Sequence, residues 1–131
     1  MGAHNASINH TASFNWTQFE TIGANVPRSQ GLVVNWTGGS PGGTVAIQGQ
    51  SQSAPGVGAY FYCFADAAAG SFTVPAAIMR ALPVSSSAFG QPSGSLSVIQ
   101  FILGSRFNIP GIDQAYGGAY DGYNVGPINF Q

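Results

Sequence analysis

The chain has 131 residues, which suits one domain with a sizeable core, and 44% of them are hydrophobic, which excludes an intrinsically disordered protein. Only 5% are charged, no lysine is present and the formal net charge is −1, so no electrostatic field would attract nucleic acid or an anionic membrane surface. Cys63 is the single cysteine, which excludes an intrachain disulfide. No apolar run approaches the ~18 residues of a membrane helix, so we expect no membrane insertion.

The N-terminal part divides into an extension and the start of a domain. Residues 1–12 are polar and weakly patterned, and Met1–His4 are interpreted as a start residue followed by cloning residues. The basic-then-apolar pattern of a signal peptide is missing here. Residues 13–131 are expected to form a single domain. Its first strand is predicted over Ser13–Phe19, and the aperiodic stretch Thr21–Gln30 is predicted to be a connection.

The segment Leu32–Gly49 carries the strongest β-pattern of the chain. Leu32, Val34 and Trp36 recur at every second position, which is typical of a half-buried strand. The glycine-rich stretch Gly38–Gly43 lets the backbone reverse before the alternation resumes. We predict a β-hairpin here, and a second sheet must cover its apolar face because an isolated hairpin is only marginally stable.

A third β-run follows at Ala59–Ala65. Cysteine is among the most buried residue types, whereas tyrosine tolerates a solvent-exposed hydroxyl, so Phe61 and Cys63 are predicted to point inward. The opposite side of the strand then carries three aromatic residues: Tyr60, Tyr62 and Phe64.

Short elements fill the middle of the chain. Gly70–Pro75 is predicted to be a strand, and Ala76–Leu82 is the only plausible helical turn, with Ile78 and Leu82 one turn apart. The serine-, glycine- and proline-rich stretch Val84–Ser93 is predicted to be a loop.

The C-terminal third returns to β-structure. Gly94–Leu103 is predicted to be a strand, and a further β-segment covers Phe107 to Ile112. The tail Gln114–Gln131 is expected to end in an anchored final strand, with the rings of its tyrosine-rich part buried. Seven to eight short strands with one short helical turn indicate an all-β fold, an antiparallel β-sandwich, with a closed barrel as the alternative.

Four motifs of the chain resemble a known type of domain. They read LVVNWTGGSPGGTVAIQGQS, YFYCFADAAAGSFTVPAAIMRALP, GSLSV and FNIPGID. Together they resemble a domain repeated in large secreted proteins of soil bacteria, notably acidobacteria. The preceding FNWTQFETI and VPRSQG resemble its opening strand and lead-in, so the resemblance covers about Phe14–Asp113. The resemblance implies an immunoglobulin-like sandwich in an extracellular protein, and it carries over no catalytic residue. The tail after Asp113 lies beyond it.

The sequence contains no pattern that is typical of a catalytic or metal-binding site. Cys63 lies within an aromatic strand, where its thiol should be inert without a base, and the two histidines, His4 and His10, belong to the weakly patterned N-terminus. The four acidic residues are dispersed over separate loops or strand ends: Glu20, Asp66, Asp113 and Asp121. No spacing matches a calcium loop or a glycosidase carboxylate pair. We therefore expect no enzyme, no catalytic residue, no metal and no cofactor.

Tyrosines are the candidate binding residues. A tyrosine ring offers an apolar body and a hydrogen-bonding tip, which suits contact with sugar rings. The candidates are Tyr60, Tyr62, Tyr116, Tyr120 and Tyr123. The competing interpretation is that these rings pack onto the sandwich.

The sequence thus predicts a non-catalytic structural or adhesive module of a secreted or cell-surface bacterial protein. Its expected partners are other modules of the same protein or further copies of itself, since the low charge removes one usual protection of sheet edges. The alternative is a carbohydrate-binding or other ligand-binding module that uses the exposed tyrosines, with a polysaccharide as the possible partner.

Overall fold

A computed structural model describes residues 13–54, 56–88, 91–109 and 111–131, and this part of the chain is mostly β-structure. Its strands, in chain order, are β1 Phe14–Trp16, β2 Asn25–Val26, β3 Leu32–Gly38, β4 Thr44–Gln52, β5 Gly58–Asp66, β6 Ser71–Val74, β7 Ser87–Ala88, β8 Gln91–Pro92, β9 Gly94–Ile109 and β10 Ile112–Phe130. A 3₁₀ turn covers Ala67–Ala69, and a six-residue helical segment, α1, covers Ala76–Ala81.

Two principal sheets enclose the core. The order of the smaller sheet is β1-β3-β6, the order of the larger is β2-β10-β9-β4-β5, and β7 and β8 form a separate two-stranded ribbon. Apolar side chains from both principal sheets belong to one buried cluster, among them Trp16 and Val34 from the smaller sheet and Ile47 and Val98 from the larger. The predicted β-rich architecture is confirmed. The expectation of purely antiparallel pairing is wrong, because β2 pairs in parallel with the end of β10.

The predicted hairpin over Leu32–Gly49 is wrong, although both of its strands exist. β3 pairs with β1 and β6, whereas β4 pairs with β5 and β9. The glycine-rich connection therefore crosses from one sheet to the other, with positive φ at Gly38, Gly39 and Gly42. In a hairpin, β3 and β4 would lie side by side, and a further layer would have to cover the apolar sides of both strands. Placed in opposite sheets, they cover each other.

The long hairpin of β9 and β10 extends the larger sheet. β4 accompanies β9 only as far as the Thr44–Phe101 pair, whereas β9 and β10 remain paired to Ile109 and Ile112. Residues 102–109 and 111–119 therefore form a two-stranded extension, which we call the arm. The separate β-segment predicted around Phe107 is in fact the end of β9 and the start of β10.

The chain end is anchored as predicted. Ile128 and Phe130 are fully buried, and the Arg28 N–H donates to the Gln131 carbonyl at 2.7 Å.

In α1 the expected Ile78–Leu82 pair does not form. Leu82 is buried but lies beyond the helix in extended conformation. Met79 is buried in place of Ile78, which is 37% exposed.

Candidate functional site

Strand β5 presents a row of three exposed rings, Tyr60, Tyr62 and Phe64, which we call the aromatic stripe. Their exposed fractions are 71%, 52% and 59%. The row follows from strand alternation, because Phe61 is buried and Cys63 is partly buried against the core on the other side. The predicted inward and outward sides of this strand are confirmed.

The rings of the aromatic stripe lie against one another. The Tyr60 and Tyr62 ring centroids are 5.7 Å apart in an edge-to-face arrangement. Those of Tyr62 and Phe64 are 6.3 Å apart, with ring planes within 6° of parallel. Such contacts favour particular ring orientations, so the stripe is partly preorganised before any ligand binds.

Amide and hydroxyl side chains continue the same side of the sheet. Directly opposite residues of antiparallel strands share a face. In β4, Gln50 is opposite Tyr60 and Gln48 is opposite Tyr62. Across β4 in β9, Ser97 is opposite Gln48, and its hydroxyl contacts the Asn124 side-chain oxygen of β10 at 3.3 Å. We call this side of the larger sheet the outer face.

Two shallow clefts open beside this surface. One, of about 230 Å³, lies at the Tyr60 end of the aromatic stripe and is lined mainly by polar groups, including Gln50, Gln52 and Ser93. The other, of about 130 Å³, is lined by Tyr120, Gly122 and Asn124 among others. The outer face therefore offers recesses near β5 and β10.

Two tyrosines of the C-terminal tail lie on this same side. Tyr120 is opposite Phe101, which shares its face with Ser97, and Tyr116 is opposite Arg106 in the arm. The Arg106 guanidinium carbon lies 5.7 Å from the centre of the Tyr116 ring. Tyr120 is 80% exposed, so the expectation that this ring is buried is wrong. The tail belongs to β10, and between Tyr116 and Asn124 the even-numbered residues are the exposed ones.

Tyr123 lies on the opposite, inner side of β10. Its ring packs against Phe14 and Phe19, at centroid distances of 6.1 and 5.0 Å, and its hydroxyl donates to the Phe14 carbonyl at 3.1 Å. The structure therefore brings four of the five candidate tyrosines onto one sheet face and assigns Tyr123 to packing between the sheets.

Cys63 has the features of a structural residue. Partial burial raises the pKa of its thiol by desolvation, which lowers the thiolate fraction at neutral pH. Within the described residues, no three His, Cys, Asp or Glu side chains gather as a metal site would require. His4 and His10 lie outside the described residues, as do the side-chain surroundings of Asp113.

Charged groups lie away from the centre of the outer face. Asp66, at the end of β5, accepts a hydrogen bond from the Ala68 N–H at 2.8 Å and so caps the 3₁₀ turn. Asp121 lies on the inner side of β10, as Tyr123 does, and accepts a hydrogen bond from the Phe14 N–H at 3.4 Å. The centre of the surface is thus neutral, with aromatic, amide and hydroxyl groups.

Among the described residues, no helix has the length and apolar character needed to span a bilayer.

Comparisons with models of known protein families, with curated proteins and with solved structures found no match. The resemblance of the WTGG and FTVP motifs to acidobacterial secreted domains therefore stays a prediction.

Proposed function

We propose that the protein is a non-catalytic adhesive module that binds neutral polysaccharide through its outer face. The observation that carries this proposal is the aromatic stripe, three exposed rings along one strand beside a row of amides and hydroxyls. Large exposed aromatic rows are uncommon on a monomer surface and usually mark a binding site.

The chemistry of this surface suits sugars. The C–H faces of pyranose rings are apolar and pack on aromatic rings, while their hydroxyls both donate and accept hydrogen bonds. The aromatic stripe offers the first kind of contact. The Gln48 and Gln50 amides and the Ser97 hydroxyl offer the second, because each has donors and acceptors. The lack of charge at the centre favours a neutral glycan over an anionic one.

The sheet backbone holds these groups in place before binding. Tyr62, Gln48 and Ser97 lie on three adjacent strands joined by continuous pairing. A rigid platform loses little conformational entropy when a ligand binds, which supports useful affinity from a shallow surface. An extended glycan also suits a surface whose clefts are shallow.

The sequence supports a setting for this activity. A surface poor in charge and rich in hydroxyl and amide groups is common on secreted proteins, and the motif resemblance points to an immunoglobulin-like module of a secreted or cell-surface bacterial protein. In that setting the module would attach other modules of the same protein to polysaccharide.

Binding to soluble xylan, mixed-linkage β-glucan and mannan tests the proposal. We expect saturable binding to at least one of these, and an affinity loss of about tenfold or more for Tyr60→Ala or Tyr62→Ala, which corresponds to about 1.4 kcal/mol. The unfolding midpoint should change little because both rings are exposed.

Val33→Ala is the matched control, since Val33 is 48% exposed but lies on the smaller sheet. Its affinity should equal that of the wild type. Failure of the wild-type protein to bind any of the three glycans, or equal weakening by Val33→Ala, would contradict the proposal.

A further inference from the structure

One of the two edge strands of the larger sheet, β5, has an edge that no other described strand covers. Within the described part of the chain it pairs with β4 alone, and the register runs without a shift from Thr44–Asp66 to Gln52–Gly58. Natural edge strands are usually protected by lysine, proline or a bulge, and β5 contains none of these. Its outward N–H and C=O groups can therefore accept another strand.

The sequence of β5 is close to symmetric about Tyr62. Reading outward in both directions from Tyr62, Phe61 corresponds to Cys63, Tyr60 to Phe64, and Ala59 to Ala65. The first pair lies on the core side and the second is exposed. An antiparallel pairing of β5 with itself, centred on Tyr62, would therefore place each residue opposite one of similar character.

This self-complementarity is what a twofold interface requires, because there the same patch must fit its own copy. The charge distribution agrees with it. Asp66 is the only charged residue of β5, and the pairing places it opposite Gly58 of the other copy and away from the other Asp66. No like charges would meet along the paired strands.

We propose that two copies of the chain associate by antiparallel pairing of their β5 strands about a twofold axis at Tyr62. Main-chain hydrogen bonds join two five-stranded sheets into one. Cross-strand contacts between Tyr62 and its mate, and between Tyr60 and Phe64, add aromatic packing. The pairing uses the strand edge, so the two aromatic stripes become neighbours on one face of the joined sheet.

Substitution at the axis tests the proposal in the absence of any glycan. By sedimentation, the wild type should dimerise, and Tyr62→Lys and Tyr62→Glu should each weaken dimerisation at least a hundredfold, since like charges face each other across the axis. An equimolar mixture of the two variants should recover the dimer. Tyr120→Lys, at an exposed position of the outer face away from β5, should dimerise like the wild type.

The register is tested by cysteine cross-linking in a Cys63→Ser background with a short thiol-to-thiol reagent. Tyr62→Cys should cross-link, because its mate lies directly opposite. Tyr60→Cys alone should not, because it is opposite Phe64 of the other copy, whereas Tyr60→Cys with Phe64→Cys should. A monomeric wild type, a dimer unaffected by Tyr62→Lys, or cross-linking of Tyr60→Cys as fast as Tyr62→Cys would each overturn the proposal. Each result leaves glycan binding to be judged separately.

Discussion

Replacing Gly38 with alanine is expected to destabilise the fold by about 3–5 kcal/mol. Gly38 has φ +73°, a conformation that costs an L-residue about 1–3 kcal/mol. A Cβ at this position would also overlap the Ser13 carbonyl oxygen, which accepts the Gly39 N–H. Relief of that overlap must move β1 away from β3, and overpacking typically costs about 1–3 kcal/mol more. Urea unfolding measures the loss.

Gly42→Ala is the matched control. Gly42 has nearly the same φ, +74°, but no atom lies within 4 Å of the position its Cβ would take. Only the conformational cost applies, so we expect a loss of about 1–2 kcal/mol. Equal losses for the two variants would show that the close approach of β1 to Gly38 is wrong.

Trp36→Ala is expected to cost about 3–5 kcal/mol, as is usual for a buried aromatic residue. Trp36 is 3% exposed, and its ring lies 6.5 Å from that of Phe14. Its indole N–H donates to the Ala67 carbonyl at 2.8 Å in a buried position. This bond joins β3 to the 3₁₀ turn that follows β5, and so joins the two sheets.

Trp36→Phe separates packing from hydrogen bonding. It keeps most of the buried ring and leaves the Ala67 carbonyl unpaired, which should cost about 1–3 kcal/mol. The measurement is the free energy of unfolding in urea for both variants. An unchanged stability of Trp36→Ala would mean that this side of β3 does not face the core.

The sequence predicted strands well where alternation is strong, and it failed where pairing depends on distant residues. The alternation around Trp36 shows that β3 and β4 are strands with buried sides. The same pattern arises whether two strands lie side by side or face each other across a core. The pairing partners decide between these two arrangements: β6 pairs with β3 in the smaller sheet, and β9 pairs with β4 in the larger sheet.

Only part of the candidate site could be predicted from the sequence, because the rest also depends on strand pairing. Tyr60 and Tyr62 follow from alternation within one strand, whereas Gln48 and Ser97 join them only through the register of three strands. In the tail, Tyr116 and Tyr120 are four residues apart and Tyr123 is an odd number of residues from both. If the glycine-rich tail had been interpreted as a strand, its alternation would have separated Tyr123 from Tyr116 and Tyr120.

The most direct test of glycan binding at the outer face is an NMR titration of the isotope-labelled protein with the soluble glycan that it binds most tightly. We predict saturable shifts of backbone amides in β5, β4 and the middle of β9, including those of Tyr62, Gln48 and Ser97. The amides of β3 and β6, such as that of Val33, should stay unchanged. Shifts confined to the smaller sheet or to the arm, or no shifts at a saturating glycan concentration, would contradict the assignment of this face as the binding site.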